Sequence, residues 1–188
     1  MDNRTIENPV TGQRVTFTET ARQSGGARTL ADLDTSPGGG VPLHQHADHE
    51  EWIEVVEGEL ELTNEGVTRR LGPGEEVIIP RGAVHSWRNP SADRVLRFRA
   101  MMTPGHPGFE TVIHVSFGLG RDGLLRPGGI PRRFADLALL ADWDPSLFAV
   151  GPRRLLTPLM RWYARRARAN GHAAELLRRY GWTEPSIA

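Results

Sequence analysis

The sequence predicts a mainly β chain, a small antiparallel barrel or sandwich, with helices at its C-terminal end. Three features carry that prediction. Residues 13–101 are filled by short alternating or β-branched runs, cut at even spacing by Gly, Pro and Asn. Beyond Pro104-Gly105-His106-Pro107-Gly108 the apolar residues change to helical spacing. The length of 188 residues, with 38% hydrophobic and 24% charged residues, suits one well-packed globular domain rather than two.

Within the β region the runs are Arg14–Glu19, Trp52–Glu57, Glu59–Thr63, Val67–Leu71, Val77–Ile79 and Arg94–Met101. Asn64-Glu65-Gly66 reads as a tight hairpin turn, and Gly72-Pro73-Gly74 as another. The helical region opens with Phe109, Val112, Ile113 and Phe117 on one face. Pro131 is placed to open a second helix with Phe134, Leu137 and Ala141 on one face. Thr157-Pro158 reads as an N-cap followed by proline at the first helical position, ahead of Leu159, Trp162 and Tyr163. Asn170-Gly171 ends that helix, and His172–Tyr180 forms the last one, closed by Gly181. The predicted division is a barrel over 1–104 and a helical extension over 105–188, packed on the barrel or on a dimer partner. The apolar residues of 131–180, including Phe134, Leu137, Leu155, Leu159, Trp162, Tyr163, Leu176 and Leu177, are expected to dock on the outer face of the barrel or across a dimer interface rather than to close its mouth.

Composition excludes several chemistries. With no cysteine there are no disulfides, thiolate ligands or cysteine nucleophile. The start, Met1 to Thr5, lacks the basic-then-apolar pattern of a signal peptide, and no apolar run approaches the length of a membrane span, so a cytoplasmic protein without membrane contact is expected. The net charge is zero but uneven: residues 1–120 carry 11 Arg against 17 acidic residues, residues 121–188 carry 12 Arg against 6. No Arg-rich block is interleaved with aromatics in the manner of a strand-binding surface, so the basic part is read as a helix surface complementing an acidic barrel, with no nucleic-acid partner.

Two stretches carry the chemistry. In the first, Gly38 is followed by five residues and His44, one and His46, four and Glu51, six and Gly58. In the second, Gly74 is followed by five residues and Pro80, one and Gly82, two and His85, three and Asn89. His44 and His46, two apart on a strand, point to one face. Glu51 lies beyond a short turn and can return to that face from the next strand, and Pro80-Arg81-Gly82 is a rigid turn that delivers His85. Three imidazoles and a carboxylate converging inside a barrel make a site for a divalent transition metal. Glu50 has the opposite strand parity and leaves seven residues before Gly58, so Glu51 is preferred as the carboxylate.

Both stretches match the two motifs of the cupin superfamily, and the chain resembles small bacterial single-domain cupins with a helical C-terminal extension. All ten motif positions are filled; average residue frequencies give a chance of below about one in a million for that. The resemblance implies a jelly-roll β-barrel, often dimeric, in which one divalent metal (Fe, Mn, Ni, Zn or Cu) is held by His44, His46, Glu51 and His85. Coordination positions left to water or substrate would serve a small organic molecule. Dioxygenase-, isomerase- and cyclase-like activities are all known in such barrels, and so are non-catalytic sensors and binding proteins. A metal-dependent enzyme is the leading expectation, with Glu51 available as a base, and a metal-dependent sensor is the alternative. A transcription regulator is disfavoured because no helix-turn-helix precedes the barrel.

Strand parity places Ile53 and Val55 on the face of Glu51, Trp87 on the face of His85, and Leu96, Phe98 and Ala100 inward. Most of these are expected core. Trp87, Ile53 and Phe98 are the candidates to touch substrate. His49, in the turn between ligands, is expected in solvent. His106, His114 and His172 read as structural or surface residues, and Asn89 as a turn residue hydrogen-bonding backbone.

Overall fold

The computed structural model describes residues 4–146 and 150–181. In chain order its strands are β1 (Thr5–Asn8), β2 (Gln13–Glu19), β3 (Thr29–Thr35), β4 (Gly40–His44), β5 (Glu50–Glu57), β6 (Leu60–Asn64), β7 (Val67–Leu71), β8 (Glu76–Ile79), β9 (His85–Arg88) and β10 (Leu96–Thr103). Helices α1 (Pro107–Arg121), α2 (Phe134–Trp143), α3 (Thr157–Ala169) and α4 (His172–Tyr180) follow, with a 3-10 turn at Gly151–Leu156 leading into α3.

Every pairing between these strands is antiparallel, and they form two sheets, β1-β2-β3-β10-β5-β8 and β4-β9-β6-β7. This is the two-layer barrel that the alternating runs predict. Along β10, Leu96, Phe98, Ala100 and Met102 are buried while Arg97 and Arg99 face solvent. Register carries the same face across the sheet: Phe98 lies beside Leu33 and Val55, and Ala100 beside Ala31 and Ile53. Leu60, Leu62 and Trp87 of the other sheet join them in one core. On the outer face of the six-stranded sheet, charges alternate instead. Arg97 sits 2.5 Å from Glu57 and 3.5 Å from Asp34, and Arg99 sits 3.3 Å from Asp32 and 3.5 Å from Glu54.

Two turns show why glycine stands where it does. The β6–β7 hairpin is closed by two residues, Glu65 (φ 47°) and Gly66 (φ 78°), between the paired Asn64 and Val67. Both central residues in the left-handed region make the tight turn that matches strand twist. At Gly58 (φ 87°) an added Cβ would lie 2.9 Å from the carbonyl oxygen of Val95, so a side chain there would meet backbone.

The six-stranded sheet is wider than its partner, and α1 covers the excess. Val15 and Phe17 of β2 face the same side as Leu33 and Ala31, their cross-strand neighbours, which is the barrel interior. There Phe17 meets Phe109 edge-on at 6.3 Å and His114 in a stack at 5.4 Å. Phe117 belongs to the barrel core itself. Glu110 fastens the helix start, accepting from the backbone N–H of Ala21 at 2.7 Å and from the Thr29 hydroxyl at 2.6 Å. The first helix therefore packs on the barrel by continuing its inner core.

The remaining helices build a second core with a different composition. Ala138, Ala164, Ala167 and Ala173 pack with Leu139, Met160, Leu176 and Tyr180. Small residues let these helices approach closely, and that leaves most of the predicted docking residues outside. Phe134, Leu155, Leu159, Trp162 and Leu177 are exposed in the single chain, and only Leu176 of the larger set is buried. The buried face of α2 is Ala138 to Ala141 rather than the Phe134, Leu137 and Ala141 stripe. Pro131 lies before that helix in an isolated bridge to Leu125, and Arg133 is the cap. Thr157 is not an N-cap either: the 3-10 turn runs straight into α3, so Leu156 takes the cap position in helical geometry and Thr157 is already helical. His172 is a structural residue as expected, its Nε2 lying 2.5 Å from the buried Asp136. Among the described residues no helix is long and apolar enough to cross a membrane.

Candidate metal centre

Each ligand candidate is delivered by local chain geometry. His44 ends β4 and stands opposite His85, the first residue of β9. Between Val41 and His44 the pairing slips by a bulge, a device that re-aims side chains at the rim of a sheet. His46 follows after β4, and its carbonyl is held by the N–H of Gly82 at 2.7 Å, so the two motif turns are tied together. Glu51 enters from β5, buried, while Glu50 beside it is exposed, as strand parity requires.

The four side chains meet. His44, His46, Glu51 and His85 are all buried, and one donor atom from each lies within 4.8 Å of the others. Oε2 of Glu51 is 3.2 Å from Nε2 of His85 and 3.4 Å from Nε2 of His46. The opposite nitrogens are occupied. Nδ1 of His44 lies 2.8 Å from the carbonyl oxygen of Pro42, and Nδ1 of His85 lies 3.0 Å from that of Ala83. A carbonyl only accepts, so both rings carry a proton on Nδ1 and turn Nε2 inward. Nδ1 of His46 lies 2.9 Å from the hydroxyl of Ser146. Three imidazole nitrogens and one carboxylate, aimed at a common point with their outer nitrogens already engaged, fit a divalent transition metal.

The charges support that reading. Burial pushes the Glu51 carboxyl up, but its hydrogen bonds to His46 and His85 outweigh burial and hold it well below the usual carboxylate range. Burial pushes His85 down, and the hydrogen bond and charge of Glu51 reverse that to a raised value. His44 is pushed down to about 4 by burial and by His85 beside it. The ionised Glu51 and the neutral His44 are the forms that coordinate metal, whereas the proton that Glu51 favours on His85 would have to leave as a metal binds.

His49 is the correction. It is 1% exposed, not solvated, and its ring lies 4.3 Å from that of His46 and 4.7 Å from that of His106. Among the described residues neither of its nitrogens has a hydrogen-bond partner. Burial, followed by the neighbouring His46, pushes it down to about 3. Its parity gives the reason: His49 is two residues before Glu51, so it shares the inward face. His106 caps α1 by accepting from the N–H of Phe109 at 2.7 Å, and His114 is buried on Phe17. Asn89 holds its turn through backbone, donating to the carbonyls of Thr35 at 3.0 Å and Arg94 at 2.7 Å.

Trp87, Ile53 and Phe98 are interior residues, 5%, 0% and 1% exposed, with Trp87 edge-on to Phe98 at 4.9 Å. A separate groove of about 370 Å³ crosses the outer side of the four-stranded sheet, past Leu43, Thr63, Ser86 and Arg88. Ser86 and Arg88 alternate with His85 and Trp87, so the groove lies on the opposite face from the ligands.

The cupin domain family matches residues 33–102, a span that contains all four ligand candidates. The chain is 34% identical over 95 residues to a germin-like protein of Morus alba, covering 48% of this chain and 45% of that protein. It is 39% identical over 69 residues to an uncharacterized protein of Aquifex aeolicus, covering 37% and 55%. It thus spans about half the length of these curated relatives. Among solved structures, an RmlC-like cupin from Shewanella frigidimarina superposes with a TM-score of 0.47 at 20% identity, over 55% of this chain and 86% of that one. The polyketide cyclase RemF from Streptomyces resistomycificus gives 0.45 at 24% identity, over 52% and 73%.

Proposed function

Since residues 33–102 of this chain are a cupin domain, we propose that it is a mononuclear metal-dependent enzyme acting on a small organic molecule. The observation that carries the reading is the buried convergence of His44, His46, Glu51 and His85, with donor atoms within 4.8 Å of one another. A divalent metal held there would supply a Lewis-acidic centre with open positions for substrate. The protein's own part is distinct. His44, His46 and His85 present Nε2 from rings fixed at Nδ1, and Glu51 keeps an ionised carboxylate in a buried site, where it can take a proton from a bound molecule if it loosens from the metal. Ile53 and Trp87, each two residues from a ligand on the same face, and Phe98 against Trp87, give the interior an apolar wall suited to a partly apolar substrate. A second copy of the chain is the proposed partner for the exposed Leu159 and Trp162 of α3.

Elemental analysis of the purified protein, joined to absorbance and electron paramagnetic resonance spectra, tests the metal. Close to one divalent metal per chain is expected, and full occupancy in His44→Ala/His85→Ala would sink the assignment. Oxygen consumption with phenolic or enolic substrates would mark a dioxygenase; complete anaerobic turnover would mark an isomerase or cyclase. Tight ligand binding without turnover across a broad panel would establish a sensor instead.

A further inference from the structure

Three histidines face the centre, but they are held in two different ways. His44 and His85 are each fixed by the carbonyl oxygen two residues earlier in the chain, that of Pro42 and that of Ala83. Both acceptors are backbone carbonyls, present whatever side chain stands at those positions. His46 has no such carbonyl at its Nδ1. Its partner is the hydroxyl of Ser146, 100 positions along the chain and just past the end of α2.

Ser146 is itself committed. It is 6% exposed, and its hydroxyl donates to Oδ1 of Asp144 in a short hydrogen bond, while its backbone N–H donates to the same oxygen at 3.0 Å. Its carbonyl oxygen accepts from the N–H of Gln45, the residue before His46, at 3.4 Å. A hydroxyl has one proton. With that proton given to Asp144, the oxygen can only accept from His46, so the imidazole must carry a proton on Nδ1 and turn Nε2 inward, toward Glu51. Without Ser146 the ring would be free to exchange tautomers or rotate, and Asp144 is what keeps the hydroxyl an acceptor.

We propose that Ser146, kept an acceptor by Asp144, is a positioning residue that fixes the tautomer and orientation of His46, making the helical extension a working part of the metal centre. The inference rests on the reading of the four residues as a metal site. Outer hydrogen-bond partners of ligating histidines typically change metal affinity by about 10- to 100-fold when removed.

The test uses the full-length chain in wild-type form and as Ser146→Ala, Ser146→Thr and Asp144→Ala. Two readouts are taken: the ring ¹⁵N shifts of His46 in metal-free protein, and Co(II) affinity by chelator competition with the visible spectrum of the Co(II) form. Wild type and Ser146→Thr are expected to keep His46 protonated at Nδ1 and to bind Co(II) within about threefold of each other. Ser146→Ala should show mixed tautomers, an affinity lower by about 10- to 100-fold and an altered Co(II) spectrum. Asp144→Ala should fall between, because the serine proton is then free to turn toward the ring. Wild-type tautomer, affinity and spectrum in Ser146→Ala would overturn the proposal. A wild-type chain that binds no Co(II) would overturn the metal reading alone; the tautomer readout would still decide whether Ser146 positions the ring.

Discussion

The barrel and the helical extension are stabilised by different means. The barrel core is built from large residues that alternate along strands, Phe17, Ile53, Val55, Leu60, Leu62, Leu96 and Phe98, all close to fully buried. The helical core relies on alanines at the contacts between helices and leaves Leu155, Leu159 and Trp162 in solvent. One part is filled by volume, the other by close approach. The two are joined by α1, which belongs to both cores, and by the short link from Asp144 and Ser146 to His46. The extension reaches the four ligand candidates where Ser146 meets His46.

The sharpest way to break the comparison is to truncate matched residues in the two parts. Phe98→Ala should lose about 3–5 kcal/mol of stability because a fully buried ring leaves a cavity. Leu159→Ala, at 46% exposure in the single chain, should change stability by less than about 0.5 kcal/mol at dilutions where no second copy covers α3. Equal losses at both positions would show that α3 is covered in solution and that the contrast belongs to the isolated chain.

A smaller effect sharpens the barrel's side. Adding a divalent metal at one hundred times its dissociation constant should stabilise the wild-type chain by about 2.7 kcal/mol. The same addition should do nothing for His44→Ala/His85→Ala. Calorimetric melting with and without metal checks this, and an equal shift in the double variant would place the metal elsewhere.

The smallest effect concerns the junction. His114 of α1 is pushed down from 6.5 to about 4 by burial and by Arg121. The folded state therefore binds its proton more weakly than the unfolded chain does. Stability from this group is fully present above about pH 6.5 and is lost as pH falls toward 4. His114→Leu should remove a loss on the order of 2 kcal/mol across that window, read as a shallower pH dependence of the denaturant midpoint. An unchanged slope would show that His114 is solvated in the native state.

How much of this was legible from the sequence depends on range. His44, His46, Glu51 and His85 announced themselves because their spacing encodes both parity and turns. His49 carried the same parity signal, two residues before Glu51, and was hidden by its place in a turn. β3 was missed because its buried positions are Thr29, Ala31, Leu33 and Thr35, separated by Asp32 and Asp34, a weak apolar signal. β1 offers only Ile6 as a buried apolar residue. The helical core was misread for a related reason: alanine contributes little to apolar periodicity, so the stripe of larger residues pointed at the wrong face. Ser146 had no local signal at all. A hydroxyl that matters to a residue 100 positions away is a property of the fold and not of any window of sequence.

The alternating charges on the outer face of the six-stranded sheet have a consequence for association. Each of Arg97 and Arg99 stands between two carboxylates contributed by different strands. Exposed pairs of this kind are worth little individually to folding. Their collective effect is on what can lie against the sheet. A second sheet stacked there would have to strip water from rows of guanidinium and carboxylate while matching their order with its own. Around Arg97 and Arg99, stacking a second sheet on this face is thereby made costly.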